Sequence, residues 1–181
     1  IDNFYTTTIY EKGAELIRML ALLLGHERFM KGIKVYFDSF DGSAATTEDF
    51  VNSIIEGACK NNDKLPFDID KFQSWYYKPG TPKVYINQSW DHTNSILNIS
   101  FEQKFNNCLK NDDIEMIIPI LYSCYSNKQS KPIVKDKLFI LDKHKKNLQI
   151  KCVNGGISRP ILSLFRCFSA PVKWESDLSI D

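Results

Sequence analysis

At 181 residues, 43% hydrophobic and 25% charged with a formal net charge of +1, the chain carries enough apolar material for one or two small cores and lacks the polarity of a disordered segment. That balance offers no basic surface for nucleic acid or an anionic membrane, and no apolar run approaches the roughly 20 residues of a spanning helix, so neither partner is expected. Five cysteines (Cys59, Cys108, Cys124, Cys152 and Cys167) without a C-x-x-C pair predict reduced, buried thiols and a reducing, cytoplasmic compartment rather than a disulfide frame or zinc knuckle. No secretory signal is visible, and an opening at Ile1 without an initiator methionine leads us to expect a fragment.

In chain order, the first structured stretch is Y-T-T-T-I-Y-E-K-G from Tyr5 to Gly13. Thr8 stands three residues before Glu11, the capping-box spacing, which predicts a helix start there with Tyr10 in its first turn. Leu16, Met19, Leu20 and Leu23 recur at helical spacing and define its buried face. Tyr10 is then expected on a rigid element, its ring packed and its hydroxyl pointing into a cleft as a preorganised donor. Tyr5, in the extended lead-in, can line the same cleft. Spacing alone equally allows two amphipathic core tyrosines whose hydroxyls find backbone partners.

Gly25 is a natural helix stop, and a second helix is expected to bury Phe29, Ile33, Tyr36 and Phe37 before Asp41-Gly42 ends it. Thr47 ahead of Glu48 and Asp49 predicts the N-cap of a third helix with the apolar stripe Phe50, Val51, Ile54, Ile55 and Ala58. Asp68 or Asp70 can cap a short fourth helix carrying Phe72, Trp75 and Tyr76, which Pro79, Gly80 and Pro82 terminate. Beyond Pro82 the hydrophobic period falls to two. Val84, Ile86 and Trp90, then Leu97, Ile99 and Phe101, then Ile114, Met116, Ile118 and Ile120 read as strands. Others are expected at 133–141, 148–153 and 161–168, with Asn154-Gly155-Gly156 as a turn. The predicted class is α+β, a helical part followed from about residue 82 by a small antiparallel β-sandwich.

Other chemistry is mostly excluded by spacing. His26-Glu27 begins like H-E-x-x-H, but the position that needs the second histidine is Met30. His92 and His144 fall in predicted turns, so no metal site is expected from this chain alone. There is no G-x-S-x-G elbow, the acids near Asp41 lack the order of a calcium loop, and Lys143-His144-Lys145-Lys146 reads as a solvated hairpin tip. Capping accounts for Glu11.

Four segments carry a resemblance. N-F-Y-T-T-T-I-Y-E-K-G-A-E-L-I-R-M (3–19), D-G-S-A-A-T-T-E-D-F (41–50), W-Y-Y-K-P-G-T-P (75–82) and S-L-F-R-C-F-S-A-P-V (163–172) resemble, in order, the zinc aminopeptidases of the aminopeptidase N family, in its bacterial and protozoan branch. The resemblance implies that residues 1–81 are the C-terminal helical part of a thermolysin-like catalytic domain, that 82–170 are an immunoglobulin-like β-sandwich, and that 171–181 lead toward a helical C-terminal domain. It further implies that Tyr10 donates its hydroxyl to the oxyanion of the tetrahedral intermediate, and that Tyr5 helps form the pocket for the substrate's first side chain. The family's H-E-x-x-H helix, its downstream glutamate ligand and its G-x-M-E-N segment are not in this sequence. Zinc is therefore expected as a cofactor of the full-length protein only, with this chain binding none and hydrolysing nothing by itself. The implied partners are peptides with a free N-terminus and the other domains of the same polypeptide, against which the Leu-rich face of the first helix would pack. The alternative is a non-catalytic relative of the same fold, acting as a scaffold for protein interaction.

Overall fold

A computed structural model describes residues 7–60, 64–105, 115–126, 132–152 and 158–177. The fold is α+β. Helices α1 (Thr7–Leu24), α2 (His26–Phe40), α3 (Thr47–Ala58) and α4 (Ile69–Tyr77) precede strands β1 (Lys83–Asp91), β2 (Ile96–Lys104), β3 (Ile118–Tyr125), β4 (Pro132–Leu141), β5 (Lys145–Lys151), β6 (Ile161–Ser163) and β7 (Lys173–Ser176). Two compact units divide the chain, Ile1–Ile69 and Asp70–Asp181.

In the first unit, Leu16, Met19, Leu20 and Leu23 of α1 are buried, as their spacing predicts. The Leu-rich face that the resemblance would pack against other domains is thus already buried within this chain. The helix already includes Thr7, so Thr8 lies inside it and does not cap it. Gly25 adopts φ 78°, a left-handed conformation that costs glycine nothing, and its N–H donates to the Ala21 carbonyl at 2.9 Å, so α1 stops and α2 begins at once. A capping box does form at α3, but around Thr46 instead of Thr47. The Thr46 hydroxyl accepts from Asp49 N at 3.1 Å, and the Asp49 carboxylate accepts from Thr46 N at 2.8 Å. The motif needs its acid three residues past the cap, and only Thr46 has one there.

The packing of α2 also departs from expectation. Phe37 is 59% exposed, Phe29, Ile33 and Tyr36 are half-buried, and the buried residue of the helix is Gly32. Gly32 faces Gly57 of α3, whose buried residues also include Val51, Ile54 and Ala58. Two facing glycines let the backbones approach more closely than any side chain would allow, so the aromatic stripe flanks the contact instead of filling it. Arg28 completes the join, its Nε donating to the Ala58 carbonyl at the end of α3 at 3.0 Å.

In the second unit, the sheets run β5-β2-β1-β7 and β4-β3-β6. Val84, Ile86, Leu97, Ile99 and Phe101 point inward from the first sheet, and the Phe101 and Phe139 rings meet across the sandwich at 5.1 Å. All pairings are antiparallel except β1–β7, which is parallel. The sandwich is thus mixed at that edge, because β7 arrives at β1 from across the fold and not through a hairpin. Strand β3 is buried on both faces over most of its length, and Met116 is buried ahead of it, so the alternation read there marks depth more than a solvent face. Ile114 and the Asn154-Gly155-Gly156 turn lie outside the described residues. The strand expected over 161–168 ends at Ser163, because Phe165, Cys167 and Phe168 all take positive φ, which no ladder accommodates. Only part of the basic run is a tip, since Lys145 and Lys146 belong to β5.

Buried polar groups tie the pieces together. The Gln103 amide donates to the carbonyls of Met116 and Lys143, each at 3.0 Å, and accepts from Met116 N at 2.9 Å. Trp75 of α4 donates its indole N–H to the Ile117 carbonyl at 2.8 Å, and Lys71 reaches Glu115 at 2.5 Å. Helix α4 is thereby seated on the strand unit.

Candidate functional site

Helix α1 presents two faces. One is the buried stripe from Leu16 to Leu23, which fixes the helix in its unit. On the other stand Tyr10, Ala14 and Ile17, at the four- and seven-residue spacings that share a face. Tyr10 is 60% exposed and Ile17 is exposed too, so the ring is not packed as the sequence predicts. The nearest residue of the buried stripe, Leu20, lies a little under a quarter of a turn round the helix from Tyr10, and burying one face leaves the other to solvent. One turn on, a Cβ at Gly13 would meet nothing within 4 Å. Glu11 is exposed next to Tyr10. Tyr5 lies outside the described residues. What the arrangement offers chemically is a phenol on a rigid helix, reachable from solvent, with hydrogen-bonding capacity at its oxygen.

The histidines do not converge. His26 is exposed at the first position of α2 and His92 accepts from the Trp90 indole at 3.0 Å in the β1–β2 turn. His144 sits in the β4–β5 bend. Among the described residues no group of three His, Cys, Asp or Glu side chains could hold a metal ion. A zinc ion therefore does not fit the residues described.

Of the cysteines, Cys124 and Cys152 are buried, Cys59 is half-buried and Cys167 is exposed, none of them in a disulfide. Cys108 lies outside the described residues. Burial pushes the Cys124 thiol up to about 12, and Cys152 is also raised by burial. Both stay protonated and unreactive near neutrality. Asp136 is also perturbed. The Arg166 guanidinium at 2.7 Å and the Ser123 hydroxyl at 3.0 Å hold its carboxyl below the usual carboxylate range. No motif announces this trio, because strand pairing assembles it from three separate segments.

Residues 1–76 match the family described as the Peptidase family M1 domain, and residues 80–177 match the family described as "Domain of unknown function (DUF3458) Ig-like fold". Aminopeptidase N of Haemophilus influenzae is 37% identical over 98% of this chain. The chain belongs to the aminopeptidase N family. Within that family, aminopeptidase N of Caulobacter vibrioides is 46% identical over 50% of the chain and 10% of its own length. Among solved structures, the Legionella pneumophila aminopeptidase A in complex with aspartic acid superposes with a TM-score of 0.79 at 30% identity, over 97% of this chain. The chain spans 20% of the Haemophilus protein and 18% of the Legionella one. No helix among the described residues is long and apolar enough to cross a membrane.

Proposed function

We propose that this chain serves within a zinc aminopeptidase that removes residues from the free N-terminus of peptides, and that its own chemical contribution is the Tyr10 hydroxyl. The observation that carries this reading is the position of Tyr10, open to solvent on a helix anchored by four buried side chains, in a chain of the aminopeptidase N family. A phenol so held donates its O–H to the oxygen that gains negative charge as the scissile carbonyl becomes tetrahedral. Rigid mounting matters, because a donor already aimed at that oxygen needs no reorganisation when charge develops. Tyr5 would line the pocket for the substrate's first side chain. Zinc is implied for the whole protein by the family resemblance, and its ligands would come from outside the described residues. By itself the chain would bind no zinc and hydrolyse nothing.

The same proposal takes residues 1–81 as the C-terminal helical part of a catalytic domain, 82–170 as the immunoglobulin-like sandwich, with β7 adding to one sheet edge, and the following residues as leading toward a helical domain. A cytoplasmic setting is supported by four cysteines that stay as thiols.

The test is release of the fluorogenic group from an aminoacyl substrate by the whole protein, wild type against Tyr10→Phe, at equal zinc occupancy. Removing one oxyanion donor is expected to lower kcat by about 10²–10³. An active parent indifferent to Tyr10→Phe would make Tyr10 a surface residue, and an inactive wild-type parent would overturn the peptidase reading itself.

A further inference from the structure

Three lysines stand side by side on one rung of the four-stranded sheet. Lys83 of β1 is paired with Lys104 of β2 on one side and with Lys173 of β7 on the other. Residues directly opposite in a ladder project from the same face with Cβ atoms about 4.5–5.5 Å apart, close enough for like charges to be destabilising. The rung opens into a pocket of about 700 Å³ lined by all three lysines, Trp174 and Glu175.

Compensation of these charges is partial. Glu175 accepts from Lys83 at 2.5 Å, and Glu102 lies 3.2 Å from Lys104. Glu102 is itself opposite Lys145 of β5, which adds a fourth cation at the pocket's flank. The Lys83 and Lys104 ammonium groups each lie 5.0 Å from the centre of the Tyr85 ring, two residues from Lys83 on the same face of β1, so this aromatic face helps hold both in place.

We propose that this rung is a binding site for a linear oligophosphate. Neighbouring strands lie about 4.8 Å apart, so the three lysines span roughly 10 Å at their Cα atoms. A lone orthophosphate meets the outer pair only where both side chains bend inward, whereas a chain of phosphoryl groups lying across the strands meets each ammonium in turn. Lysine suits this ligand because its ammonium is a point charge with three rotatable donors and needs no planar, forked partner. An extended acidic peptide fits less well, since its side chains alternate and present a carboxylate to one face only every 6.8 Å or so. Trp174 also lines the pocket at the β7 edge.

The test is isothermal titration calorimetry on the 181-residue chain at low ionic strength, with inorganic tripolyphosphate, orthophosphate and hexaglutamate as probes. Tripolyphosphate is expected to bind about tenfold more tightly than either of the others, and to weaken as salt is added. Lys104→Gln and Lys173→Gln should each weaken it by about three- to tenfold, with unfolding midpoints matched to wild type, while Lys137→Gln on the other sheet changes nothing. Three outcomes would overturn the proposal: no binding of tripolyphosphate up to about 1 mM, hexaglutamate binding as tightly, or full affinity in the Lys104→Gln/Lys173→Gln double variant.

Discussion

Adding one methyl group at Gly32 tests how α2 and α3 are joined. Built on the backbone, that Cβ lies 2.5 Å from the Cα and from the carbonyl oxygen of Ile54, and 2.9 Å from its carbonyl carbon. These are all main-chain atoms of a helix, so none can swing aside as a side chain would. Opening the contact from 2.5 Å to the 3.4 Å of ordinary van der Waals distance requires the helices to part by about 0.9 Å. A gap of that size forfeits about a quarter to a half of the attraction of each contact along the seam, which includes the buried Val51, Ile54 and Ala58. Overpacking costs about 3 kcal/mol at the upper end of its usual range, and the better helix propensity of alanine returns about 1 kcal/mol. Gly32→Ala should therefore destabilise the chain by about 2 kcal/mol. Gly13→Ala supplies the control, because nothing lies within 4 Å of its Cβ and only the propensity term remains, a gain of about 0.5–1 kcal/mol. Urea unfolding followed by far-UV circular dichroism reads both from their midpoints at constant slope. A Gly32→Ala variant as stable as wild type, beside a stabilised Gly13→Ala, would refute the close crossing.

Trp75→Phe removes the indole donor to the Ile117 carbonyl and should cost about 1–3 kcal/mol in the same urea assay; a change within experimental error would show the carbonyl finding another partner. Asp136 carries a pH dependence of defined sign. Its folded-state pKa is depressed, first by Arg166 and then by Ser123, so its contribution is present above the unfolded value of about 3.9 and is lost as pH falls through the folded one. Asp136→Asn should accordingly flatten the fall in stability below about pH 4, and an acid limb identical to wild type would remove the ion pair from the account. With Cys124 raised to about 12 by burial, iodoacetamide at pH 8 should label exposed Cys167 in the folded chain and leave Cys124 and Cys152 unmodified, read site by site by mass spectrometry. Equal labelling of Cys124 would contradict its burial.

Periodicity located the elements better than their neighbours. The stripe of α1 and the inward residues of β1 and β2 were legible because each side chain's polarity matches its own exposure. The face of α2 was not, since Phe29, Ile33, Tyr36 and Phe37 announce themselves by size while Gly32, which makes the contact, has no side chain to read. Tyr10 followed the same logic in reverse: its helix was legible, but an aromatic at helical spacing does not say which side of the helix the neighbours occupy. Register was the other hidden quantity. Lys83, Lys104 and Lys173 are scattered in sequence, as are Ser123, Asp136 and Arg166, and only strand pairing sets them together. The turn at Phe165–Phe168 escaped prediction because four apolar-rich residues in a row read as strand, whereas three of them adopt left-handed φ.

The exposure of Tyr10 carries a requirement of its own. A hydrogen bond to a developing oxyanion is worth most where water is excluded, and Tyr10 is 60% exposed in this chain. A donor role therefore calls for a cover over the face that Tyr10 shares with Ile17, to be provided in the whole protein together with substrate. Two measurements then separate a reacting residue from a packing one. In the 181-residue chain Tyr10→Phe removes a hydroxyl from an exposed residue and should change stability by no more than about 1.5 kcal/mol, the upper worth of one hydrogen bond. In the whole protein, on the proposed donor role, the same change should cost about 10²–10³ in kcat with KM little altered, because that interaction would form only as the carbonyl becomes tetrahedral. A variant that unfolds the chain more easily, or raises KM while kcat holds, would place Tyr10 in packing or in ground-state binding and remove it from the chemistry.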